Sequence, residues 1–288
     1  MRRIIFLLFI LVVCFTASCN RRRPVDNTIR IGFTEFSIDQ AVAFVLKGIL
    51  DQQQNVRVEM YRVADSTMFR AISTNELDIG ITAWFPNTHQ QFSEMFPHQL
   101  QKHAMIADSL GLCIAVPTAA PIGRIEDLRH HAELFGNTIL IPDNRNAIFH
   151  LGNNVLEDYN LDMFTLREAS WDDILAYVES SLENNSMFAF IGMRPHWIFN
   201  RFDLKTLKDT NASFGTHEQA FLITNTQFKE RMPSIANFLS RVSFEISDIE
   251  TIMEMNQALG SDTYSNAVRW INQNTYRINK WLIGSGGS

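Results

Sequence analysis

The chain has 288 residues, of which 46% are hydrophobic and 19% are charged. This composition is typical of a water-soluble globular protein and excludes a membrane protein with many spanning helices. At about 100 to 200 residues per domain, the length predicts two lobes. The 25 basic residues against 31 acidic ones give a net charge of −6. A nucleic acid partner is therefore disfavoured, because binding a polyanion needs a basic surface.

The first segment of the chain has the pattern of a bacterial export signal. Two arginines precede twelve apolar residues, Ile4 to Phe15, a stretch shorter than the about 20 residues that span a bilayer. The small residues Thr16 to Ser18 then stand before Cys19, as in a lipobox, although leucine is usual at the first of these positions. We predict a signal peptide over 1–18 and a tether over 19–27 that is lipidated at Cys19. The alternative is ordinary cleavage nearby, which leaves this cysteine a free thiol.

Strand and helix patterns alternate through the remaining chain. A strand at 28–33 precedes a helical apolar stripe at 38–52, and alternating residues at 56–60 predict a second strand. This order is typical of α/β proteins with mainly parallel sheets. Further strands are predicted at 77–83, 111–117, 138–142, 163–166, 187–192 and 219–224, with only helices from Pro233 onward. The final Gly-Ser-Gly-Gly-Ser, 284–288, is interpreted as an added flexible tail outside the fold.

Aromatic and polar residues follow four of the predicted strands. In parallel sheets, ligands bind beyond the carboxyl ends of the strands. A helix that begins there offers unpaired amide donors to an anion, and aromatic faces attract a diffuse cation. The combination fits a zwitterion. The four junctions are Thr34 to Ser37, Trp84 to Asn87, Asp143 to Asn146, and Gly192 to Trp197.

Residues 28–282 resemble the OpuAC-like family, the glycine betaine, carnitine and choline binding proteins of ABC transporters. The most specific segments are Ala83-Trp84-Phe85-Pro86 and Arg194-Pro195-His196-Trp197; further ones lie at 31–36, 77–82, 125–128 and 201–205. The resemblance implies a two-lobed clamshell of the type II periplasmic-binding-protein fold. It also implies that the protein captures a quaternary ammonium compound in an aromatic box and delivers it to an inner-membrane permease. No catalysis and no cofactor are implied.

The resemblance assigns ligand-binding roles to individual residues. Trp84 matches a box tryptophan, and Phe36 stands where relatives often have tryptophan. Met193 occupies another box position and is the main departure, since methionine is polarizable but has no ring. His196 and Trp197 match the histidine of the second segment and the aromatic residue after it.

One further loop departs from the family pattern. Asn144 and Arg145 stand where a Gly-rich sequence is usual. Arg145 either clamps a ligand carboxylate or faces solvent. The departures at positions 144, 145 and 193 leave open which quaternary amine is preferred.

The hinged lobes follow from the same resemblance. The chain is expected to cross between lobes twice, near 117–121 and near 217–221. Lobe 1 then comprises 28–117 and 222–283, and lobe 2 comprises 118–221. Closure is expected to bring the aromatic residues of lobe 1 against the segment that begins at Met193. We expect a monomer.

Other noticeable residues have simpler interpretations. Trp171, Trp270 and Trp281 lie on helical stripes and predict packing, while Asp39 is interpreted as a helix-start carboxylate. An enzyme is disfavoured, because the sequence has no nucleophile elbow, phosphate loop or paired zinc-binding histidines. Alternative functions on the same clamshell are a sensory lipoprotein, an amino-acid binder, or a metal binder that uses His89, His98 and His103.

Overall fold

The computed structural model describes residues 27–53, 56–143 and 145–283. Within these ranges, every helix is too short or too polar to cross a bilayer. The predicted signal peptide and nearly all of the tether, with Cys19, lie outside the described residues, as does the tail 284–288. Their assignments therefore stay predictions.

The first sheet forms the larger lobe. Its strands are β1 (Thr28–Phe33), β2 (Arg57–Arg62), β3 (Ile79–Phe85), β9 (Glu218–Asn225) and the first part of β4 (Leu100–Pro117). They are ordered β2-β1-β3-β9-β4. β1 pairs in parallel with β2 and β3, whereas β9 is antiparallel to both β3 and β4. The helices between these strands are α1 (Ser37–Gln53), α2 (Asp65–Ser73) and α3 (Gln90–Met95).

The second sheet contains the rest of β4 together with β5 (Thr138–Pro142), β6 (Thr165–Ala169), β7 (Phe190–Arg194) and β8 (Leu204–Thr206). β5 is parallel to β6 and β7, whereas β4 is antiparallel to β7 and β8. The helices of this part are α4 (Arg145–Asp158), α5 (Trp171–Glu183) and α6 (Ile198–Arg201), with two short 3-10 helices at Ile125–His130 and Ala132–Phe135.

The chain ends in helices, as the sequence predicts. They are α7 (Phe228–Arg231), α8 (Pro233–Leu239), α9 (Ile246–Met255), α10 (Thr263–Gln273) and α11 (Thr275–Leu282). Their apolar faces share one core with the first sheet and α1, which includes the buried Ile31, Val42, Ile249, Trp270 and Trp281. The second sheet has a separate core around Ile114, Ile139, Val155 and Ile191. Each sheet thus packs against its own buried clusters, which supports two lobes, because each lobe buries its own apolar surface.

The sheets are mixed rather than mainly parallel, which corrects that detail of the prediction. The antiparallel strand β4 takes part in both sheets, and the antiparallel strand β9 begins where the chain returns to the first sheet. Two strands separated by a helix are parallel only where the helix returns the chain to the end of the sheet at which the first strand began. Alternation of strand and helix does not reveal strands that pass directly from one sheet to the other.

The first change of sheet lies earlier than 117–121. β4 pairs with β9 up to Leu110 and with β7 from Gly111 onward. Gly111 has a φ of 150°, which side chains rarely adopt, so glycine suits the turn between sheets. The run 111–117 therefore belongs to the second sheet. β9 begins at Glu218, within the predicted second crossing. We propose lobes that divide at Gly111 and at Glu218.

Candidate functional site

A cavity of about 470 Å³ lies between the lobes. It is in the range of small-molecule sites, which are concave and mostly apolar with a few polar groups. Lobe 1 contributes residues from the segment between β1 and α1, the start of α1 and the end of β3, and lobe 2 contributes residues from β5, β7 and the start of α5. The apolar lining residues are Phe36, Ile38, Trp84, Leu112, Pro142, Trp171, Ile191, Met193, Pro195 and Met253.

Trp84 is held in place on the wall of lobe 1. Its indole Nε1 donates to Oγ1 of Thr82 at 2.7 Å, and its backbone N donates to Nδ1 of His89 at 2.7 Å. Nδ1 of His89 therefore carries no proton, and Nε2 lies 3.4 Å from Oδ1 of Asp65. These contacts fix the ring of Trp84 before a ligand arrives, which reduces the entropic cost of binding.

Asp39 lies deeper in the same wall and is only 3% exposed. Its carboxylate accepts hydrogen bonds from the hydroxyls of Thr34 and Thr82, both at 2.6 Å. Burial raises the pKa of Asp39 to about 6, although these hydrogen bonds oppose the rise. It does lie at the start of α1, but the interpretation as a simple helix-start carboxylate missed this network.

Phe36 and Met193 stand on opposite lobes and are both exposed, at 61% and 41%. Phe36 immediately precedes α1, and Met193 lies on β7 opposite Leu112 of β4. Both line the cavity. Large apolar side chains that are left exposed beside a cavity gain burial when a ligand fills it.

His196 and Trp171 form the wall of lobe 2. Their rings stack at 4.8 Å with an interplanar angle of 13°. Burial lowers the pKa of His196 to about 4, and its Nδ1 accepts from the backbone N of Ile198 at 3.3 Å. The ring is therefore neutral at pH 7 and carries its proton on Nε2. His196 lines the cavity and is suited to donate a hydrogen bond to a ligand.

Trp171 is the site residue that sequence reasoning missed. Its helical spacing predicts packing, as for the buried Trp270 and Trp281, and Trp171 does pack against the buried apolar cluster around Ile174, but it lines the cavity as well. It begins α5 directly after Ser170, whose side chain caps the helix beyond β6. The junction after β6 therefore resembles the four strand junctions described above. The place of Trp171 directly after a strand was the signal that could have identified it.

Trp197 is not among the residues that line the cavity, and its predicted contact with ligand stays a prediction. Its ring packs beside His196 at 5.2 Å and under the guanidinium of Arg201 at 4.6 Å. The turn into α6 directs it between the two lobes' cores. Asn144 lies outside the described residues, and Arg145 is described only as the first residue of α4, so their predicted roles stay predictions.

The three histidines considered for metal binding are not brought together. His89 contacts Asp65 and Trp84, His98 is exposed, and Nε2 of His103 lies 2.8 Å from the backbone oxygen of Ala236. Across the described ranges, no group of three or more His, Cys, Asp or Glu side chains is arranged to hold a metal ion.

A family model for the substrate binding domain of the ABC-type glycine betaine transport system, OpuAC, matches residues 27–273. The chain belongs to this family. A curated relative is the glycine betaine/carnitine transport binding protein GbuC of Listeria monocytogenes serotype 1/2a (strain 10403S). It is 29% identical over 184 residues, which cover 63% of this chain and 59% of that protein. The match thus spans less than two thirds of the relative's length.

Solved structures confirm the clamshell fold. Lactococcal OpuAC, in its closed-liganded conformation with glycine betaine, has a TM-score of 0.64 at 21% identity and covers 88% of this chain and 99% of its own. A choline binding protein in complex with choline has a TM-score of 0.61 at 18% identity, covering 91% and 94%. A glycine betaine/carnitine/choline transporter structure reaches 0.67 at 14% identity, covering 86% and 99%. The OpuAC family serves transport rather than catalysis.

Proposed function

We propose that this chain captures a quaternary ammonium compound of the glycine betaine, choline or carnitine class and delivers it to an ABC permease. One observation carries the proposal: the rings of Phe36, Trp84 and Trp171 line a single cavity together with Met193. A trimethylammonium group donates no hydrogen bond and spreads its charge over its methyls, so aromatic faces are its natural partners.

The energetics of such a cage suit a reversible carrier. Each cation–π contact contributes up to about 2 kcal/mol when water is excluded. Three rings together contribute up to about 6 kcal/mol, a large part of the about 8 kcal/mol that corresponds to micromolar binding. Because the two rings of lobe 1 and the ring of lobe 2 lie on opposite walls, ligand favours the closed arrangement of the lobes.

The cavity also offers donors for the other end of the ligand. Ser37 and Ile38 line it at the start of α1, where the first backbone amides have no partner within the helix. Nε2 of His196 is a further donor. Amides and a neutral histidine serve a carboxylate or a hydroxyl, so the geometry accommodates both betaine-like and choline-like ligands.

The proposed location follows from the family and the first residues of the chain. An OpuAC domain of an importer meets its ligand outside the cytoplasmic membrane. We propose that the signal peptide directs export and that lipid on Cys19 holds the protein, as a monomer, near its permease.

A thermal-shift panel tests the binding function. Glycine betaine, proline betaine, choline and carnitine are compared with amino acids and divalent metal ions. A cognate quaternary amine at about a hundred times its dissociation constant is expected to stabilise the fold by about 2.7 kcal/mol. Stabilisation by amino acids or metals alone would contradict the proposal.

A further inference from the structure

A continuous chain of hydrogen bonds connects a buried carboxylate to a ring of the cage. Nε1 of Trp84 donates to Oγ1 of Thr82 at 2.7 Å, and that hydroxyl donates to Oδ1 of Asp39 at 2.6 Å. The other oxygen of Asp39 accepts from Oγ1 of Thr34 at 2.6 Å and from its backbone N at 3.3 Å. The link from Thr82 to Asp39 joins elements distant in sequence, since Thr82 is on β3 and Asp39 is on α1.

The chemistry fixes the direction of every bond in this chain. An indole N–H only donates and an ionised carboxylate only accepts, so the hydroxyl of Thr82 must accept from the ring and donate to Asp39. A protonated Asp39 is uncharged and must donate its own proton to one of the two hydroxyls, whereas an ionised Asp39 accepts from both. The chain from the indole therefore ends on a negative charge only when Asp39 is ionised.

Burying this carboxylate is costly for the fold. Asp39 is 3% exposed, and burial raises its pKa to about 6 despite the hydrogen bonds from Thr34 and Thr82. Asp39 also lines the cavity. A buried charge that is unfavourable in the empty protein is offset when a cation occupies the adjacent cage.

We propose that Asp39 is a positioning residue of the cage, which orients the ring of Trp84 through Thr82 and places a negative charge beside the bound ammonium group. The inference rests on the proposed function and deepens it. It predicts that the affinity for a quaternary amine depends on the ionisation of Asp39.

Other titratable groups near α1 have contacts of their own. Asp65 and His89 both line the cavity and contact each other, and Glu250 of α9 is paired with Arg194. Arg269 of α10 donates to Asn266. The pKa of Asp39 is set by burial and by its hydrogen bonds with Thr34 and Thr82, not by these charges.

His196 does not titrate in the relevant window, because burial lowers its pKa to about 4. Choline keeps its positive charge at every pH. Binding of choline is therefore expected to strengthen as the pH rises through about 6, where Asp39 becomes ionised.

The test is calorimetric titration of choline and glycine betaine between pH 5 and pH 8 with four proteins: wild type, Asp39→Asn, Thr82→Val and the control Asp262→Asn. Asp262 is an exposed helix cap of α10 and does not line the cavity. Asp39→Asn is expected to weaken choline binding about tenfold at pH 8 and to remove the pH dependence. The control should match wild type.

Thr82→Val separates a positioning role from a merely structural one. The hydrogen bond from Thr82 lowers the pKa of Asp39, so its loss should weaken binding about threefold at pH 8 and move the pH transition upward. This variant also keeps the test open if Asp39→Asn does not fold.

The outcomes distinguish this inference from the proposed function. Wild type that binds neither choline nor glycine betaine contradicts both. Wild type that binds, with an affinity and pH profile unaffected by Asp39→Asn, overturns the role of Asp39 and leaves the proposed function standing. A transition that persists in Asp39→Asn, or stays in place in Thr82→Val, likewise overturns it.

Discussion

Arg194 of lobe 2 and Glu250 of lobe 1 form an ion pair beside the cavity. Nε of the guanidinium donates to Oε1 at 2.8 Å, and Nη2 donates to Oε2. The backbone N of His196 also donates to Oε1, at 3.3 Å, and Glu250 is only 2% exposed. Since Arg194 ends β7 and Glu250 lies on α9, the pair connects the cage segment of one lobe to the helical layer of the other.

Arg194→Met is expected to weaken ligand binding by favouring the open arrangement of the lobes. Losing hydrogen bonds to a charged group costs about 1.5 to 3 kcal/mol, which corresponds to at least a tenfold loss of affinity. Calorimetry measures the affinity, and small-angle scattering with saturating ligand measures closure. Arg57→Met is the matched control, because Arg57 forms an exposed pair with Glu59 on β2. Equal effects of the two substitutions would contradict a role in closure.

Trp171→Ala is expected to reduce affinity for quaternary amines about tenfold or more, through loss of one ring of the cage and of the stack on His196. Trp171→Phe should recover part of the affinity, because it keeps an aromatic face. Fluorescence or calorimetric titration makes the comparison. If Trp171→Ala binds like wild type, Trp171 packs against His196 without contacting ligand.

Met193→Trp is expected to tighten binding of glycine betaine. Met193 is exposed beside the cavity, so a ring at this position can complete the cage. One added cation–π contact of about 1 to 2 kcal/mol corresponds to roughly a tenfold gain. Met193→Leu is the control for apolar bulk without a ring. A loss of affinity in Met193→Trp would mean that the space is already filled in the closed form.

The stability of the empty protein should show two opposing pH dependences between about pH 4 and pH 6. Folding raises the pKa of Asp39 from 3.8 to about 6, so its contribution to stability falls as the pH rises through this window. Folding lowers the pKa of His196 from 6.5 to about 4, so its contribution rises as the pH rises. Each amounts to about 3 kcal/mol, at 1.36 kcal/mol per pKa unit.

Substitutions separate these two contributions. Relative to wild type, Asp39→Asn should make stability rise more steeply with pH, and His196→Gln should make it rise less steeply or fall. Urea unfolding at several pH values, followed without ligand, gives the slopes. Identical slopes in the two variants would contradict the assignment of these groups.

The lining of the cavity is predictable from sequence where a residue stands at the end of a strand inside a family-like segment. Trp84 and Met193 meet both conditions. Trp171 meets only the first, and its helical spacing equally predicts packing. Trp197 shows the converse: its neighbours resemble the family, yet its ring packs against the buried apolar clusters of both lobes.

The other features of the site and of the fold depend on contacts between distant parts of the chain, which local sequence does not encode. The hydrogen bond between Thr82 and Asp39 joins two elements far apart in the chain. β4 extends from Leu100 to Pro117 and serves both sheets, but only its apolar end, 111–117, has a recognisable strand pattern. The mixed order of the first sheet and the early crossing at Gly111 follow from the first part of β4, before residue 111, which lacks this pattern.

Calorimetric titration of wild type and Trp84→Ala with glycine betaine and choline tests the central claim most directly. The account predicts saturable binding of at least one of these compounds by wild type, and an affinity at least tenfold weaker, a loss of about 1.4 kcal/mol, when the indole is removed. Absence of heat from both compounds with wild type, or an affinity unchanged by Trp84→Ala, would contradict it.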